Sequence, residues 1–285
     1  MNISKVTVIG GGLMGRQIAL NTAIYPFEVV LVDSNPAVLE AVKQWQEEYL
    51  AGRIAKGRMS GEQVQGIKSR FRVVASLEEA LQDADLVIEA IVEQEDAKHT
   101  LLKQVSAMVH PDTIIVTNSS QMVSSLFKDD VSNPGRLANM HYFNPALVMK
   151  LVEVVQGEHV SDETAETLME FCRTTGKKPI LIRKEIDGFV VNRILGAIYR
   201  EAHFLVESGY CTPQEIDIAC ENGLNHPMGP YRLNDLTGID LSYDIMSREY
   251  AETGKKPQGY DIIKELYDKG YYGKKSGHGF YDYTE

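Results

Sequence analysis

The chain has 285 residues, 24% charged and 44% hydrophobic, enough for one large domain or two of ordinary size with a substantial core. Its formal net charge of −11 argues against nucleic acid as a partner, because such binding depends on neutralising phosphates. No apolar run approaches the roughly 20 residues of a membrane-spanning helix, no signal peptide precedes the first predicted strand, and three cysteines without paired or metal-ligand spacing fit a reducing cytoplasm.

Short apolar runs alternate with helical stretches over the first two thirds of the chain. They predict strands at residues 5–10, 27–33, 71–75, 85–92, 113–117, 136–143, 150–155 and 179–183, and helices that include 36–57, 95–109 and 161–174. Alternation of this kind indicates an α/β fold with a mainly parallel sheet covered by helices on both faces.

Beyond residue 183 the predicted strands stop. Residues 188–208 are helical and apolar on more than one side, and Thr212–Glu215 has the pattern of a capped helix start. We therefore predict a sheet domain at 1–184 and an all-helical C-terminal domain at 185–285. Because a broadly apolar helix usually has partners on two sides, we expect the helical domain to form a homodimer and to contribute to the substrate site.

The first predicted strand runs directly into Gly10–Gly15, a G-x-G-x-x-G pattern that opens a helix. In a Rossmann-type domain, Gly10 would permit the tight turn, Gly12 would let the backbone approach a pyrophosphate, and Gly15 would let the helix pack on its strand. Unpaired N–H groups at the helix N-terminus would then face the phosphates. The sequence thus predicts a dinucleotide cofactor.

The second strand ends at Asp33, 23 residues after Gly10. A carboxylate there accepts hydrogen bonds from the ribose hydroxyls and repels a 2′-phosphate, and the following residues 34–36 include no arginine, so NAD is favoured over NADP. The residues expected to contact the cofactor are Gly10, Gly12, Leu13, Met14, Gly15 and Asp33.

Oxidising an alcohol requires a base for the hydroxyl proton, and His141 is the best placed of seven histidines, late in a predicted strand. Glu153, twelve residues later, is a polar position among apolar ones, and a buried carboxylate needs a partner. The next strand could bring it against His141. From spacing alone, an unrelated solvated glutamate remains the alternative. The histidines read as structural or exposed are His99, His110, His159 and His203.

Together with further motifs, these residues resemble the (S)-3-hydroxyacyl-CoA dehydrogenase family, in particular its short bacterial 3-hydroxybutyryl-CoA dehydrogenases. The resemblance covers nearly the whole chain. It rests on Gly10–Gly15, Glu89–Glu93 with Lys98, Asn118–Ser120, His141–Pro145, Met149–Glu153, Gly188–Arg193, His226–Pro230 and Gly273–Tyr281.

The resemblance implies NAD-dependent oxidation of an acyl-CoA substrate, with His141 as the base and Glu153 orienting it. Ser120 and Asn192 would hydrogen-bond the reacting oxygen or the thioester carbonyl. A cationic cluster that includes Arg53 and Lys56 could equally be a solvated helix face. Because Lys56 matches a family contact to coenzyme A, both residues are expected to contact its phosphates. Further cofactor contacts are implied at Glu93, Lys98, Asn118, Ser120, Asn144 and Lys275.

Three positions depart from the family's usual residues. Gln121 replaces a serine beside the nicotinamide site, Asp187 replaces a proline before Gly188, and Tyr49 replaces a serine that often contacts coenzyme A. None of them alters the predicted dyad.

Two other functions remain open from the sequence. An L-gulonate-type sugar-acid dehydrogenase would share the cofactor domain and the histidine, but would have no coenzyme A phosphates to bind. A crystallin-like or otherwise non-catalytic NAD-binding protein would have lost its catalytic polar groups, whereas all the candidates are present here. The preferred acyl chain length cannot be predicted from spacing.

Overall fold

A computed structural model describes residues 3–284, in which eight strands form one sheet. The strands are β1 (Lys5–Ile9), β2 (Glu28–Val32), β3 (Phe71–Val74), β4 (Leu86–Glu89), β5 (Ile114–Thr117), β6 (Leu137–Tyr142), β7 (Leu151–Val155) and β8 (Lys178–Ile182). The strand order is β3-β2-β1-β4-β5-β6-β7-β8, and every neighbouring pair is parallel except β6 and β7. The predicted α/β fold class is confirmed.

The helices are α1 (Leu13–Ile24), α2 (Pro36–Ala55), α3 (Gly61–Arg70), α4 (Leu77–Leu81), α5 (Glu95–Met108), α6 (Asp162–Thr174), α7 (Val191–Glu207), α8 (Pro213–Gly223), α9 (Pro230–Thr237), α10 (Ile239–Thr253) and α11 (Tyr260–Asp268). Short 3₁₀ helices occupy Ser124–Asp130, Pro134–Arg136 and Lys274–Ser276. The chain divides into two compact units, Met1–Val190 with the sheet and Val191–Glu285 with α7–α11. Among the described helices, none is long and apolar enough to cross a membrane.

Alternating side chains bury both faces of the sheet. Along β4, Leu86 and Ile88 belong to one hydrophobic cluster and Val87 to the other. Along β6, Ala138, Met140 and Tyr142 face the first cluster. The period of two along a strand therefore turns the polar residues of β6 to the opposite face.

Two predicted boundaries of strands or helices were wrong by three residues, more than the others. The fourth strand ends at Glu89 instead of residue 92, where the chain passes close to the glycine loop: a Cβ on Gly10 would lie 2.5 Å from the Ala90 carbonyl oxygen. The helix predicted from residue 188 begins at Val191. Gly188 and Phe189 have φ angles of +72° and +49°, in the left-handed region that a right-handed helix excludes.

Candidate active site

The glycine loop has the backbone geometry that a bound dinucleotide requires. Gly10 has a φ of +106°, and a Cβ on Gly15 would collide with the Gly10 carbonyl oxygen. By contrast, no described atom lies within 4 Å of a Cβ built on Gly12, which caps α1 without a side-chain hydrogen bond. The start of α1 therefore offers backbone N–H groups beside open space, a site that suits a pyrophosphate.

Asp33 lies beside this loop. Its Oδ2 accepts a hydrogen bond from the Gly11 N–H at 2.8 Å, and its Oδ1 accepts one from the Asn35 N–H at 2.9 Å. Each carboxylate oxygen has further lone-pair capacity for a ribose hydroxyl. The carboxylate thus also fixes the glycine loop, a role that the sequence did not indicate.

His141 and Glu153 face each other across the antiparallel pair of β6 and β7, as directly paired residues of the register. The Nδ1 atom of His141 lies 2.8 Å from Oε2 of Glu153. His141 is 6% exposed and Glu153 is fully buried. Hydrogen bonding through Nδ1 fixes the orientation of the ring and leaves the Nε2 lone pair to accept a proton. The two residues predicted to meet are therefore in contact.

The surroundings of this pair are aromatic. The ring of Phe143 lies 4.6 Å from that of His141 between centroids, and the ring of Phe189 lies 5.6 Å away. The other carboxylate oxygen of Glu153, Oε1, accepts a hydrogen bond from the Val190 N–H at 3.0 Å.

A second buried ionic group lies at the ends of β4 and β5. The Lys98 ammonium group lies 2.7 and 2.8 Å from the two carboxylate oxygens of Glu89 and 3.2 Å from Glu93. Thr117 donates a 2.5 Å hydrogen bond to Glu89. The Lys98 side chain is only 1% exposed, so burial speaks against its predicted direct contact with the cofactor, which stays a prediction.

The loop after β5 is fixed from both sides. Glu93, with 39% of its side chain exposed, accepts hydrogen bonds from the Ser119 hydroxyl and from the Ser120 N–H. The Asn118 side-chain oxygen accepts a 2.9 Å hydrogen bond from the N–H of Tyr142, the residue after His141. The loop that carries Ser120 is therefore tied both to the ionic group and to the strand of the candidate base.

Two family models match consecutive parts of the chain. Residues 5–186 match the family model described as 3-hydroxyacyl-CoA dehydrogenase, NAD binding domain, and residues 188–283 match that described as 3-hydroxyacyl-CoA dehydrogenase, C-terminal domain. The chain belongs to the 3-hydroxyacyl-CoA dehydrogenase family. It is thus an NAD-dependent dehydrogenase, as predicted, and neither alternative function is favoured.

Three relatives illustrate the similarity. A probable 3-hydroxybutyryl-CoA dehydrogenase of Bacillus subtilis is 36% identical over 286 residues, covering 100% of this chain and 99% of the relative. The crystal structure of (S)-3-hydroxybutyryl-CoA dehydrogenase from Ralstonia eutropha aligns with a TM-score of 0.90 and 33% identity over the whole of both chains. The crystal structure of 3-hydroxybutyryl-CoA dehydrogenase from Escherichia coli K12 aligns with a TM-score of 0.92 and 34% identity. This chain spans 60% of that protein's length.

The predicted cationic residues of the dehydrogenase lie on α2 and just beyond it. Trp45 and Tyr49 are stacked with their centroids 5.7 Å apart, and the Arg16 guanidinium lies 4.9 Å from the Trp45 ring centroid. Arg53 is one turn further along α2, and Lys56 is the exposed C-cap residue. Tyr49, the departure from the family's serine, is therefore held in an aromatic stack.

The remaining predicted residues fall in different places. Asn144 is exposed and precedes Pro145 through a cis peptide bond. In the second unit, Asn192 is exposed near the start of α7, and Lys275 forms a 2.5 Å ion pair with Asp240. None of their predicted ligand contacts is tested by these positions.

The Gly273–Tyr281 motif is explained largely by packing inside the second unit. Buried Asp235 accepts hydrogen bonds from the N–H groups of Phe280 and Tyr281, at 2.9 and 3.0 Å. A Cβ on Gly279 would collide with this carboxylate. Burial raises the pKa of Asp235, and the two N–H donors oppose that rise. Much of this motif therefore serves to hold the C-terminal segment against Asp235 of α9.

Proposed function

We propose that this dehydrogenase interconverts (S)-3-hydroxybutyryl-CoA and acetoacetyl-CoA, with NAD as the hydride acceptor. The observation that carries the proposal is the contact between His141 and Glu153. Because β6 runs parallel to β1 through β4 and β5, its carboxyl end lies on the same sheet edge as the glycine loop. Sites of open α/β sheets form at that edge. The relatives from Ralstonia eutropha and Escherichia coli described above are named for 3-hydroxybutyryl-CoA.

The first unit has suitable groups for NAD. The N–H groups at the start of α1 would receive the pyrophosphate over Gly12, and Asp33 would accept the ribose hydroxyls. Glu93 keeps an exposed carboxylate beside Ser120. When bound, NAD supplies the acceptor for a hydride from the substrate's C3 carbon.

His141 would act as the general base for the substrate hydroxyl. Its Nδ1 proton is held by Glu153, so Nε2 takes the proton of the 3-hydroxyl group while the C3–H bond breaks and the C3=O bond forms. The imidazolium produced is stabilised by the Glu153 carboxylate, which lies in a fully buried position where charge interactions are strong. In the reverse direction, the same proton returns to the oxygen.

Substrate recognition is proposed for two sets of residues. Ser120 and Asn192 would hydrogen-bond the reacting oxygen or the thioester carbonyl, which positions C3. Arg53 and Lys56 would provide local positive charge for coenzyme A phosphates on a protein whose net charge is −11. Phosphates favour such cationic partners.

The direct test follows NADH absorbance with acetoacetyl-CoA as substrate, with L-gulonate and NAD as the rival reaction. We expect NADH oxidation with acetoacetyl-CoA and none of the rival activity. Turnover of L-gulonate without turnover of acetoacetyl-CoA would overturn the proposed substrate.

Replacement of the base tests the mechanism. His141→Gln should lower kcat by roughly 10²–10⁴-fold, the usual contribution of a general base, while the Kd for NADH stays close to that of the wild type. His110→Gln is the matched control, because that side chain is 74% exposed. Near-normal turnover by His141→Gln would refute the role of His141. Glu153→Gln should also slow turnover, because the imidazolium loses its counter-charge.

We also propose a homodimer that forms through the second unit. Its helices expose large apolar side chains, including Ile194 and Phe204 on α7 and Ile218 on α8, which are 58%, 43% and 59% exposed. Large apolar side chains left exposed can mark an interaction site when they lie together on one surface, and the proposal assigns these residues to such a surface. Light scattering should give twice the monomer mass of 31.8 kDa. A monomeric mass at micromolar concentration would reject the dimer.

A further inference from the structure

The segment that joins β8 to α7, residues 183–190, is hydrogen-bonded to the rest of the first unit at two points. Near its start, Glu185 accepts hydrogen bonds from the Ser125 N–H at 2.8 Å and from the Ser124 hydroxyl at 3.1 Å. At its end, the Val190 N–H donates to Glu153, the residue that also holds His141. We call residues 183–190 the connecting segment.

Phe189 occupies an unusual place in this segment. Its side chain is fully buried and packs with Val155 and Ile182 as well as with the His141 ring. Its φ of +49° lies in the left-handed region, which costs an aromatic residue conformational energy. Backbone strain of this kind persists only where the surroundings impose it, and it concentrates at functional sites.

We infer that the connecting segment positions the catalytic base, with Phe189 and the Val190 N–H as its two points of action. This inference rests on the proposed role of His141. The carboxylate of Glu153 is held at both oxygens, one by the Val190 N–H and the other by Nδ1 of His141. Rotation of the carboxylate would therefore break one of these two bonds.

The ring of Phe189 restrains the imidazole itself. Phe189 and Phe143 both contact the His141 ring, and Phe189 precedes Val190, so one side chain helps to fix the ring and the N–H donor together. Small displacements of a reacting group lower the rate steeply even when binding is unchanged. Phe189 is thus a positioning residue that acts through His141 and Glu153.

The test compares the same substitution, phenylalanine to leucine, at two buried positions. In Phe189→Leu, kcat should fall roughly 10-fold while KM for both substrates stays within about twofold, because orientation is lost without loss of binding groups. Phe127→Leu removes the same atoms from another fully buried phenylalanine, which packs against His99. That control should lower the melting temperature similarly and leave kcat within about twofold of the wild type. Phe189→Met provides the comparison if Phe189→Leu does not fold.

A spectroscopic measurement separates positioning from general destabilisation. The low-field proton signal of His141 Nδ1–H, assigned by its absence in His141→Gln, should shift or broaden in Phe189→Leu and stay unchanged in Phe127→Leu. Equal kcat values and unchanged signals in the two phenylalanine variants would overturn the inference. If His141→Gln itself turns over normally, the proposed function fails instead, whatever the Phe189 variants show.

Discussion

The buried ion pair of Glu89 and Lys98 gives the sharpest stability prediction. Both side chains are at most 1% exposed, and the Lys98 ammonium group contacts both oxygens of Glu89. Lys98→Met keeps much of the side-chain volume but leaves the carboxylate without its counter-charge. The carboxylate would retain two neutral donors, the Thr117 hydroxyl and the Ile91 N–H.

The expected loss is large because an unpaired buried charge is costly. Removing one partner of a buried pair typically destabilises a protein by about 3–5 kcal/mol. For a unit of this size, such a loss lowers the melting temperature by roughly 10 °C. The double variant Glu89→Gln/Lys98→Met removes both charges and keeps a carbonyl oxygen for the Ile91 N–H. Its free energy of unfolding should lie within about 2 kcal/mol of the wild-type value.

Chemical denaturation followed by circular dichroism measures these values, with Lys43→Met as control. Lys43 forms a 2.7 Å ion pair with Glu40, but both side chains are more than half exposed, so its loss should cost less than about 1 kcal/mol. The reasoning is refuted if Lys98→Met loses no more unfolding free energy than Lys43→Met. It is also refuted if the double variant is less stable than Lys98→Met. NADH titration of the same variants shows whether loss of the contact between Lys98 and Glu93 changes cofactor affinity.

The other predictions concern pH, cofactor choice and salt. Burial lowers the pKa of His203 to about 4, whereas the unfolded ring titrates near 6.5, so stability is fully present above pH 6.5 and falls as the pH drops toward 4. Between pH 7 and pH 5 the wild type should lose about 2 kcal/mol of unfolding free energy through this histidine, and His203→Leu should not show that loss. Urea titrations at the two pH values measure it, and the same pH dependence in both proteins would contradict this prediction. Asp33→Asn/Ser34→Arg should shift kcat/KM toward NADP, and unchanged discrimination would mean that Asp33 does not contact the ribose. Arg53→Ala/Lys56→Ala should raise KM for acetoacetyl-CoA and weaken its dependence on ionic strength; an unaltered KM would remove these residues from the coenzyme A site.

All eight strands were predictable because each is a short apolar run that ends at a polar residue or glycine. The pairing of His141 with Glu153 could also be predicted from the sequence. The connection between their strands, residues 143–150, is too short for a parallel crossover, which takes a dozen residues or more. An antiparallel pair of neighbouring strands was therefore the simplest arrangement. The contact itself depended on a register that only the structure fixes.

Other features could not be predicted because they depend on contacts distant in sequence. Nothing in the residues around Phe189 indicates a left-handed conformation, so the start of α7 was misplaced. The hydrogen bond from the Gly11 N–H to Asp33 could not be predicted, because sequence patterns do not show that these two groups lie side by side. Glu89 did leave a signal: it is a carboxylate at the end of an apolar strand with Lys98 in the following helix.

Glu89 and Glu153 have similar surroundings, although Glu89 also accepts a hydrogen bond from Thr117. Each carboxylate is fully buried and contacts one side-chain nitrogen and one backbone N–H group. For Glu89 these belong to Lys98 and Ile91, and for Glu153 to His141 and Val190. A buried ionic group adds little net stability compared with well-packed apolar residues, so stability alone does not account for two of them. Glu89 holds Lys98, which also contacts Glu93, and Glu153 holds the proposed base His141. The proposed roles in cofactor binding and proton transfer would account for these two carboxylates better than folding does.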